Sequence, residues 1–286
     1  MGDADRADGA ASATGRTVTC DLTFEVSQPS EVVVQVAASA TAGRMVEESL
    51  AATTEGDDAP VTEVRSPDGA RMHILHPAPG RLAVSYRAVI DADGAGSPPP
   101  PAEGVGDYER QVYLRPSRYC PSDHLVGFAA AQFGTGPNVA ARVASITRWI
   151  RQRIGYVPGS SSVHDSAEDT LLTGQGTCRA FAHLGIALCR ATGVAARFAA
   201  VYAPGLSPMD FHAVFEACEN GRWYVYDSTG LAPRQSLVRI VTGRDAADAA
   251  FAATTAGTAD LVALAVSATA TGGLPTDDYS RIVELR

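Results

Sequence analysis

Alternating apolar and polar residues predict β-strands in the first third of the chain. TVTCDLTFEV (17–26) and RLAVSYRAVI (81–90) place apolar side chains at every second position, and EVVVQVAAS (31–39) is rich in β-branched residues. SPDG at 66–69 predicts a turn between strands. We therefore expect a β-rich N-terminal domain over residues 16–93.

Two segments without an apolar pattern predict where the domains end. Residues 1–15 are rich in Gly, Ala and Asp and cannot bury enough apolar surface to fold, so we expect them to be disordered. GAGSPPPPAEG at 94–104 predicts a linker that is stiffened by its proline run. We therefore expect a second domain over residues 105–272, followed by a C-terminal tail over 273–286.

The second domain begins with helices and continues with strands. Helices are predicted around 125–133 and over 139–154, and another follows Gly176-Thr177 and ends near Gly193, a typical C′ residue. Later apolar segments predict strands over 194–202, 211–218, 222–228, 237–241 and 261–268. Helices followed by an antiparallel sheet indicate the α+β class.

Charge and composition exclude several kinds of partner. The formal net charge is -9, which argues against a protein whose main task is to hold nucleic-acid phosphates. No apolar segment approaches the roughly 20 residues that a membrane-spanning helix needs, and the N-terminus lacks the apolar core of a secretory signal. The 5 cysteines are widely spaced and form no disulfide framework. We therefore expect a cytoplasmic protein with reduced thiols and with no nucleic-acid or membrane partner.

GQGTCRAFAHLGIALCRATG, at 174–193, places two cysteines and a histidine on one predicted helix. Cys178 falls in the first turn, where unpaired backbone N–H groups and the positive end of the helix dipole favour a thiolate. Cys189 lies about three turns further on, and His183 lies about 140° round the helix from Cys178, so both are predicted to pack in the core. A metal site is not expected, because the sequence has no CxxC pair and no HxxxH.

A predicted hairpin supplies partners for the thiol. Asn220-Gly221 is a strong hairpin signal, and a two-residue turn there pairs residues whose numbers sum to 441. Because side chains alternate between the two faces, His212 and Asp227 then project from the same face, with Cα atoms roughly 7–8 Å apart. A Cys178 thiolate, a histidine base and an orienting carboxylate are the groups that nucleophilic catalysis needs.

These motifs, taken together, resemble the bacterial transglutaminase-like (transglutaminase/cysteine protease) superfamily. GTCRAFAHLGIALCRATGVAARFAAVY is followed in order by FHAVFEA, GRWYVYDST and GRDAADAAFAATT, and the likeness extends over about 119–257. The resemblance implies a papain-like cysteine-enzyme core of helices packed on an antiparallel sheet, preceded by the N-terminal β-rich domain. It also implies that Cys178 is the nucleophile, His212 the base and Asp227 the orienting group.

Two positions depart from the family pattern. Val214 stands where the family commonly has Trp after His-Ala, and Ser228 stands where a proline is common after the aspartate. Neither departure removes one of the three implied catalytic residues. Val214 is a candidate for reshaping the acyl pocket.

The oxyanion that forms during acyl transfer also needs hydrogen-bond donors. The backbone N–H of Cys178 is the first candidate, and Tyr156 and Gln175 are candidates for a second, side-chain donor. Arg179 follows the nucleophile directly and is either structural or able to bind a substrate carboxylate.

We therefore predict a cysteine-dependent acyl-transfer enzyme that forms a thioester acyl-enzyme. Water as acceptor makes it an amidase or peptidase, and an amine makes it a transglutaminase or amide synthase. The expected partner is a peptide, an amide or an acyl-thioester substrate, with a carrier protein as a further candidate, and no cofactor is expected. The alternatives are an amide-forming acyltransferase of specialised biosynthesis, an inactive transglutaminase-like interaction domain and a redox-sensing thiol protein.

Overall fold

The computed structural model describes residues 15–91, 104–136 and 138–285. The predicted disordered segment over 1–15 and the predicted linker over 94–104 lie outside these residues, apart from Gly15 and Gly104. Gly15 is the first residue of a strand.

The described residues form thirteen strands and five α-helices. The strands are β1 (Gly15–Val34), β2 (Arg44–Thr54), β3 (Asp57–Asp58), β4 (Val61–Arg65), β5 (Arg71–Leu75), β6 (Gly80–Asp91), β7 (Gly155–Tyr156), β8 (Gln175–Gly176), β9 (Ala196–Tyr202), β10 (Phe211–Glu219), β11 (Arg222–Tyr226), β12 (Val238–Gly243) and β13 (Ala252–Ala270). The helices are α1 (Asp107–Val112), α2 (Val126–Phe133), α3 (Val139–Arg153), α4 (Ala167–Thr173) and α5 (Cys178–Ala191).

The first sheet contains the predicted N-terminal strands. It is antiparallel, with strands in the order β3-β2-β6-β1-β5-β4 and with β13 paired along β1. The two predicted segments 17–26 and 31–39 join in the single strand β1, except for the last residues of the second. Burial alternates along β1, where Val18, Leu22 and Phe24 are buried, so the period-two pattern reports a sheet with one face in the core. The predicted β-rich N-terminal region is confirmed.

One predicted strand belongs to a different sheet from the one expected. Residues 261–268 were expected to extend the sheet of the second domain, and this expectation is wrong. They lie in β13, which pairs antiparallel with β1 from Arg16↔Ala270 to Val34↔Ala252. An apolar strand pattern predicts burial against a sheet but does not specify which sheet.

The second sheet carries helix α5 on one side. Its strands are antiparallel, in the order β11-β10-β9-β12, and α5 packs on β9 and β10. Close approach requires Gly185, because a Cβ there would lie 2.5 Å from the ring of Phe215. The predicted α+β core of helices packed on an antiparallel sheet is therefore confirmed.

The predicted β10–β11 hairpin has the expected register. Asn220 has φ 51° and Gly221 has φ 74°, the left-handed pair that a type I′ turn requires. The strands pair Cys218 with Trp223 and Phe215 with Tyr226, so the paired residue numbers sum to 441.

Two short helices, α1 and α4, were not predicted. α4 begins at Ala167, with Ser166 and Asp169 as a capping box. The hydroxyl and the backbone N–H of Ser166 both donate to Asp169, at 2.8 Å each. No helix of the described ranges is long and apolar enough to cross a bilayer.

Part of the predicted C-terminal tail packs against the second sheet. We call residues 277–283 the C-terminal strap. The backbone N–H of Val225 in β11 donates to the carbonyl of Val283 at 2.8 Å. Arg234 and Asp277 form an ion pair at 2.8 Å whose side chains are 3% and 2% exposed. The strap is therefore fixed to the end of β11.

Candidate active site

Cys178 is the first residue of α5, at the helix end where backbone N–H groups lack helical partners. Gly176 allows the tight entry into the helix, because a Cβ there would lie 2.5 Å from the Cβ of Ala180. Thr177 is extended and is the N-cap residue, and its backbone N–H donates to the hydroxyl of Ser161 at 3.2 Å. Cys178 is partly exposed.

His212 and Asp227 form a buried hydrogen-bonded pair. Nε2 of His212 lies 3.0 Å from Oδ2 of Asp227, and the two residues are 2% and 1% exposed. Burial alone would raise the pKa of Asp227, but the charge and hydrogen bond of His212 and the hydrogen bonds from Thr229 hold that pKa below its ordinary value. The carboxylate therefore stays ionised inside the protein.

The same environment favours the imidazolium form of His212. Burial lowers the pKa of His212, but the charge and hydrogen bond of Asp227, with smaller contributions from the neighbouring Cys178, outweigh it and raise the pKa to about 10. Nε2 is engaged by Asp227, and Nδ1 is buried without a hydrogen-bond partner among the described residues. Nδ1 is therefore the nitrogen that is available to exchange a proton with the thiol.

Two residues that hold Asp227 were missed by the sequence analysis. The backbone N–H and the hydroxyl of Thr229 both donate to Oδ1 of Asp227, at 2.7 Å each. Arg151 of α3 donates to the carbonyl oxygens of Asp227, at 2.8 Å, and of Ser228, at 3.4 Å. The Asp-x-Thr spacing was a local signal for Thr229, because such side chains bond to backbone two residues away. No local signal connects Arg151 to this turn.

Of the two proposed second oxyanion donors, the structure brings one beside Cys178. β7 pairs in parallel with β8, which places Tyr156 opposite Gly176, near the start of α5. The Tyr156 ring packs edge-on against Phe181, with 5.8 Å between centroids. Burial and the nearby Cys178 raise the pKa of Tyr156, while the backbone N–H of Cys178 acts on the hydroxyl in the opposite direction. The side chain of Gln175 is exposed.

Two other candidates have partners of their own in the fold. Arg179 donates to the carbonyl oxygens of Ser162 and Val163, the latter at 3.3 Å. It therefore connects the segment before α4 to α5. Val214 is 1% exposed and packs in an apolar cluster with Val201 and Val225. Its side chain therefore does not reach an open pocket wall.

Cys189 and His183 are packed in the core, as predicted. Burial raises the pKa of Cys20 and of Cys189 to about 12, and burial likewise raises the pKa of the half-buried Cys218. His183 is fully buried, and burial lowers its pKa to about 3. Its Nε2 accepts a hydrogen bond from the backbone N–H of Ala246 at 3.2 Å, so it is a neutral core residue. Nowhere in the described ranges do three or more metal-ligating side chains come together.

Comparison with known proteins identifies the family. The family model of the transglutaminase-like superfamily matches residues 127–228, a range that contains Cys178, His212 and Asp227. The crystal structure of a candidate cysteine protease from Cytophaga hutchinsonii is 36% identical, with a TM-score of 0.81, and the match covers 93% of this chain and 93% of that chain. The chain belongs to the transglutaminase-like superfamily, and the predicted resemblance is confirmed.

A second relative is more distant. An uncharacterized protein of Mycobacterium leprae is 28% identical over 148 residues, which are 48% of this chain and 52% of the relative. The chain therefore matches about half the length of this relative, whose activity is not known.

Proposed function

We propose that the protein is a cysteine-dependent acyl-transfer enzyme in which Cys178 is the nucleophile, His212 the acid and base, and Asp227 the orienting group. The observation that carries this proposal is the buried pair of His212 and Asp227, 3.0 Å apart, beside a cysteine at a helix start. The raised pKa of His212 supports a resting state in which the imidazolium accompanies a thiolate.

In the first step, the Cys178 sulfur attacks the carbonyl carbon of an amide or thioester. A C–S bond forms and the carbonyl π electrons move to oxygen. The backbone N–H of Cys178 is one donor to this oxyanion, and the Tyr156 hydroxyl is the second. The tetrahedral intermediate then collapses, and the bond to the leaving group breaks while the His212 imidazolium gives its proton to that group. The product is a thioester between the acyl group and Cys178.

In the second step, neutral His212 takes a proton from the acceptor as the acceptor attacks the thioester carbonyl. The C–S bond breaks, and the thiolate and imidazolium return to their starting state. An acyl thioester, including one carried by a carrier protein, enters by the same first step as a peptide or amide.

We propose water as the acceptor, which makes the reaction an amide or peptide hydrolysis. The Cytophaga relative, described as a candidate cysteine protease and 36% identical over 93% of this chain, supports this choice. Transfer to an amine is the competing outcome of the test below. A cytoplasmic location is also proposed, supported by the five cysteines, all of which are free thiols.

Alkylation by iodoacetamide, followed by peptide mass spectrometry, tests the nucleophile. Cys178 should react first, and Cys178→Ala should remove this rapid phase. Cys218→Ala is the matched control, because Cys218 is the other partly exposed cysteine. Equal reaction rates at Cys178 and Cys218 would overturn the proposal.

Incubation with p-nitrophenyl acetate, followed by intact mass spectrometry, tests acyl transfer and identifies the acceptor. The wild-type protein should carry one acetyl group, and Cys178→Ala should carry none. All 23 basic residues are arginine, so no lysine side chain can take the acetyl group and obscure the result. Loss of the acetyl group at the same rate with and without cadaverine indicates hydrolysis. Formation of acetylcadaverine at the expense of acetate would overturn the choice of water.

A further inference from the structure

The C-terminal strap places an aromatic ring against two arginines at the end of β11. The Tyr279 ring lies 4.1 Å from the guanidinium carbon of Arg151 and 5.0 Å from that of Arg234, measured from the ring centroid. The backbone N–H of Tyr279 donates to Oδ1 of Asp277 at 2.9 Å, so the backbone that carries the ring is tied to the ion pair between Asp277 and Arg234.

Both arginines donate hydrogen bonds to backbone carbonyls of the segment 225–228. Nη1 of Arg234 donates to the carbonyl of Val225 at 3.1 Å. Arg151 donates to the carbonyls of Asp227 and Ser228. Tyr279 therefore contacts both of the guanidinium groups that form hydrogen bonds with this segment.

We propose that Arg151 and Tyr279 are positioning residues, which hold the turn at residues 227–229 so that the Asp227 carboxylate stays aligned with His212. This inference rests on the proposed function, since it assigns these two residues to the same reaction. It also gives the C-terminal strap a role in catalysis, although none of its residues touches Cys178 among the described contacts.

The geometry of the Asp227 carboxylate explains why the turn has to be held. Oδ1 accepts from Thr229 within the turn, and Oδ2 meets His212 on another strand. Rotation of the 227–228 peptide plane would disturb both sets of bonds. Donors on the carbonyls of Asp227 and Ser228 oppose that rotation.

Tyr279 is needed because Arg151 lies at the surface. A free arginine side chain samples many rotamers, and ordering it costs conformational entropy. Stacking on a ring that is already fixed confines the guanidinium to the orientation that reaches the two carbonyls. Loss of the ring should therefore weaken the hydrogen bonds from Arg151 to these carbonyls without directly changing any hydrogen bond of the Asp227 carboxylate.

The pH profile of Cys178 alkylation by iodoacetamide measures this effect without a known substrate. If the Asp227 carboxylate is less well aligned, the imidazolium of His212 is less stable and the thiolate forms only at higher pH. Arg151→Met and Tyr279→Ala should each raise the midpoint of the profile by about one pH unit, which is about a tenfold lower rate below the midpoint. The titratable groups around the reacting atoms are Cys178, His212, Asp227, Tyr156 and Asp210, and Tyr279 and Arg151 both face Asp227. Arg151→Met removes a positive charge beside this set, whereas Tyr279→Ala removes none at neutral pH, so the shift in Tyr279→Ala is the one that reports positioning alone.

Two controls separate positioning from a general loss of structure. Tyr279→Phe keeps the ring and should keep the wild-type midpoint. Arg148→Met changes an exposed arginine of the same helix and should also keep it. Circular dichroism and the melting temperature verify folding, and the two positions give independent tests if one variant unfolds.

The outcomes are distinguishable. Wild-type midpoints in both Arg151→Met and Tyr279→Ala would overturn the positioning role and leave the proposed function intact. An equal shift in Tyr279→Phe would also overturn the positioning role, because that variant keeps the ring that contacts Arg151. If wild-type Cys178 reacts no faster than Cys218, the proposed function fails, and this inference fails with it.

Discussion

Asp227 and Thr229 are joined by two hydrogen bonds within one turn. Oδ1 of Asp227 accepts from both the backbone N–H and the hydroxyl of Thr229, at 2.7 Å each. This arrangement occupies one carboxylate oxygen and leaves Oδ2 to His212. The carboxylate can therefore act on His212 in only one orientation. The charge of Asp227, and not only its shape, should matter for reactivity.

Asp227→Asn should lower the rate of acetylation by p-nitrophenyl acetate by a factor on the order of 10³–10⁴. The amide keeps the size of the side chain but removes the charge that stabilises the imidazolium and fixes the ring tautomer. Release of p-nitrophenolate under single-turnover conditions measures the rate. Asp123→Asn, at an exposed carboxylate, is the control. A change of less than threefold in Asp227→Asn would contradict the role assigned to the charge.

The His212 pair should also make stability depend on pH. The pKa of His212 rises from an ordinary 6.5 to about 10 in the folded protein. The stabilisation is therefore fully present below about pH 6.5 and is lost as the pH rises through 10. The melting temperature should fall more steeply between pH 7 and pH 10.5 in the wild-type protein than in His212→Gln. Parallel curves for the two proteins would show that His212 is not charged in the folded state at neutral pH.

Tyr156→Phe should separate oxyanion stabilisation from activation of the thiol. It removes one proposed donor, so turnover of an ester probe should fall by roughly 10²-fold, with little change in KM. Alkylation of Cys178 by iodoacetamide forms no oxyanion and should keep its wild-type rate. Tyr108→Phe, at a side chain that is 83% exposed, is the matched control. A parallel loss of both activities would assign Tyr156 to thiol activation instead.

Gly185→Ala should destabilise the contact between α5 and the second sheet. The new Cβ would lie 2.5 Å from the Phe215 ring, and overpacking of this kind typically costs about 1–3 kcal/mol in the free energy of unfolding. Urea denaturation measures the loss. Gly127→Ala, in α2, meets nothing within 4 Å and should be neutral or stabilising by up to about 1 kcal/mol. Equal stability of the two variants would show that α5 can move away from β10 at no cost.

The sequence predicted those parts of the fold and site that depend on short-range patterns. Asn220-Gly221 specified the hairpin register, which brought His212 and Asp227 to the same face, and Gly176 preceded the helix that begins at Cys178. The role of Arg151 could not be predicted in this way, because its hydrogen-bond partner is a carbonyl far along the chain. The sheet that contains β13 was also unpredictable, since an apolar strand pattern is the same whichever strand it pairs with. The Ser166-x-x-Asp169 capping box is a local signal for α4 that the apolar patterns alone did not include.

The pairing of β13 with β1 has a consequence for how the protein is made. All elements from α1 to β12 lie along the chain between two neighbours of β1, namely β6 and β13. The domain that carries Cys178 is therefore topologically an insertion into the first sheet. A ribosome makes β1 early and its long partner late, so the first sheet remains incomplete until the nucleophile and its partners have been synthesised. The last strand of the first sheet is therefore made only after Cys178, His212 and Asp227.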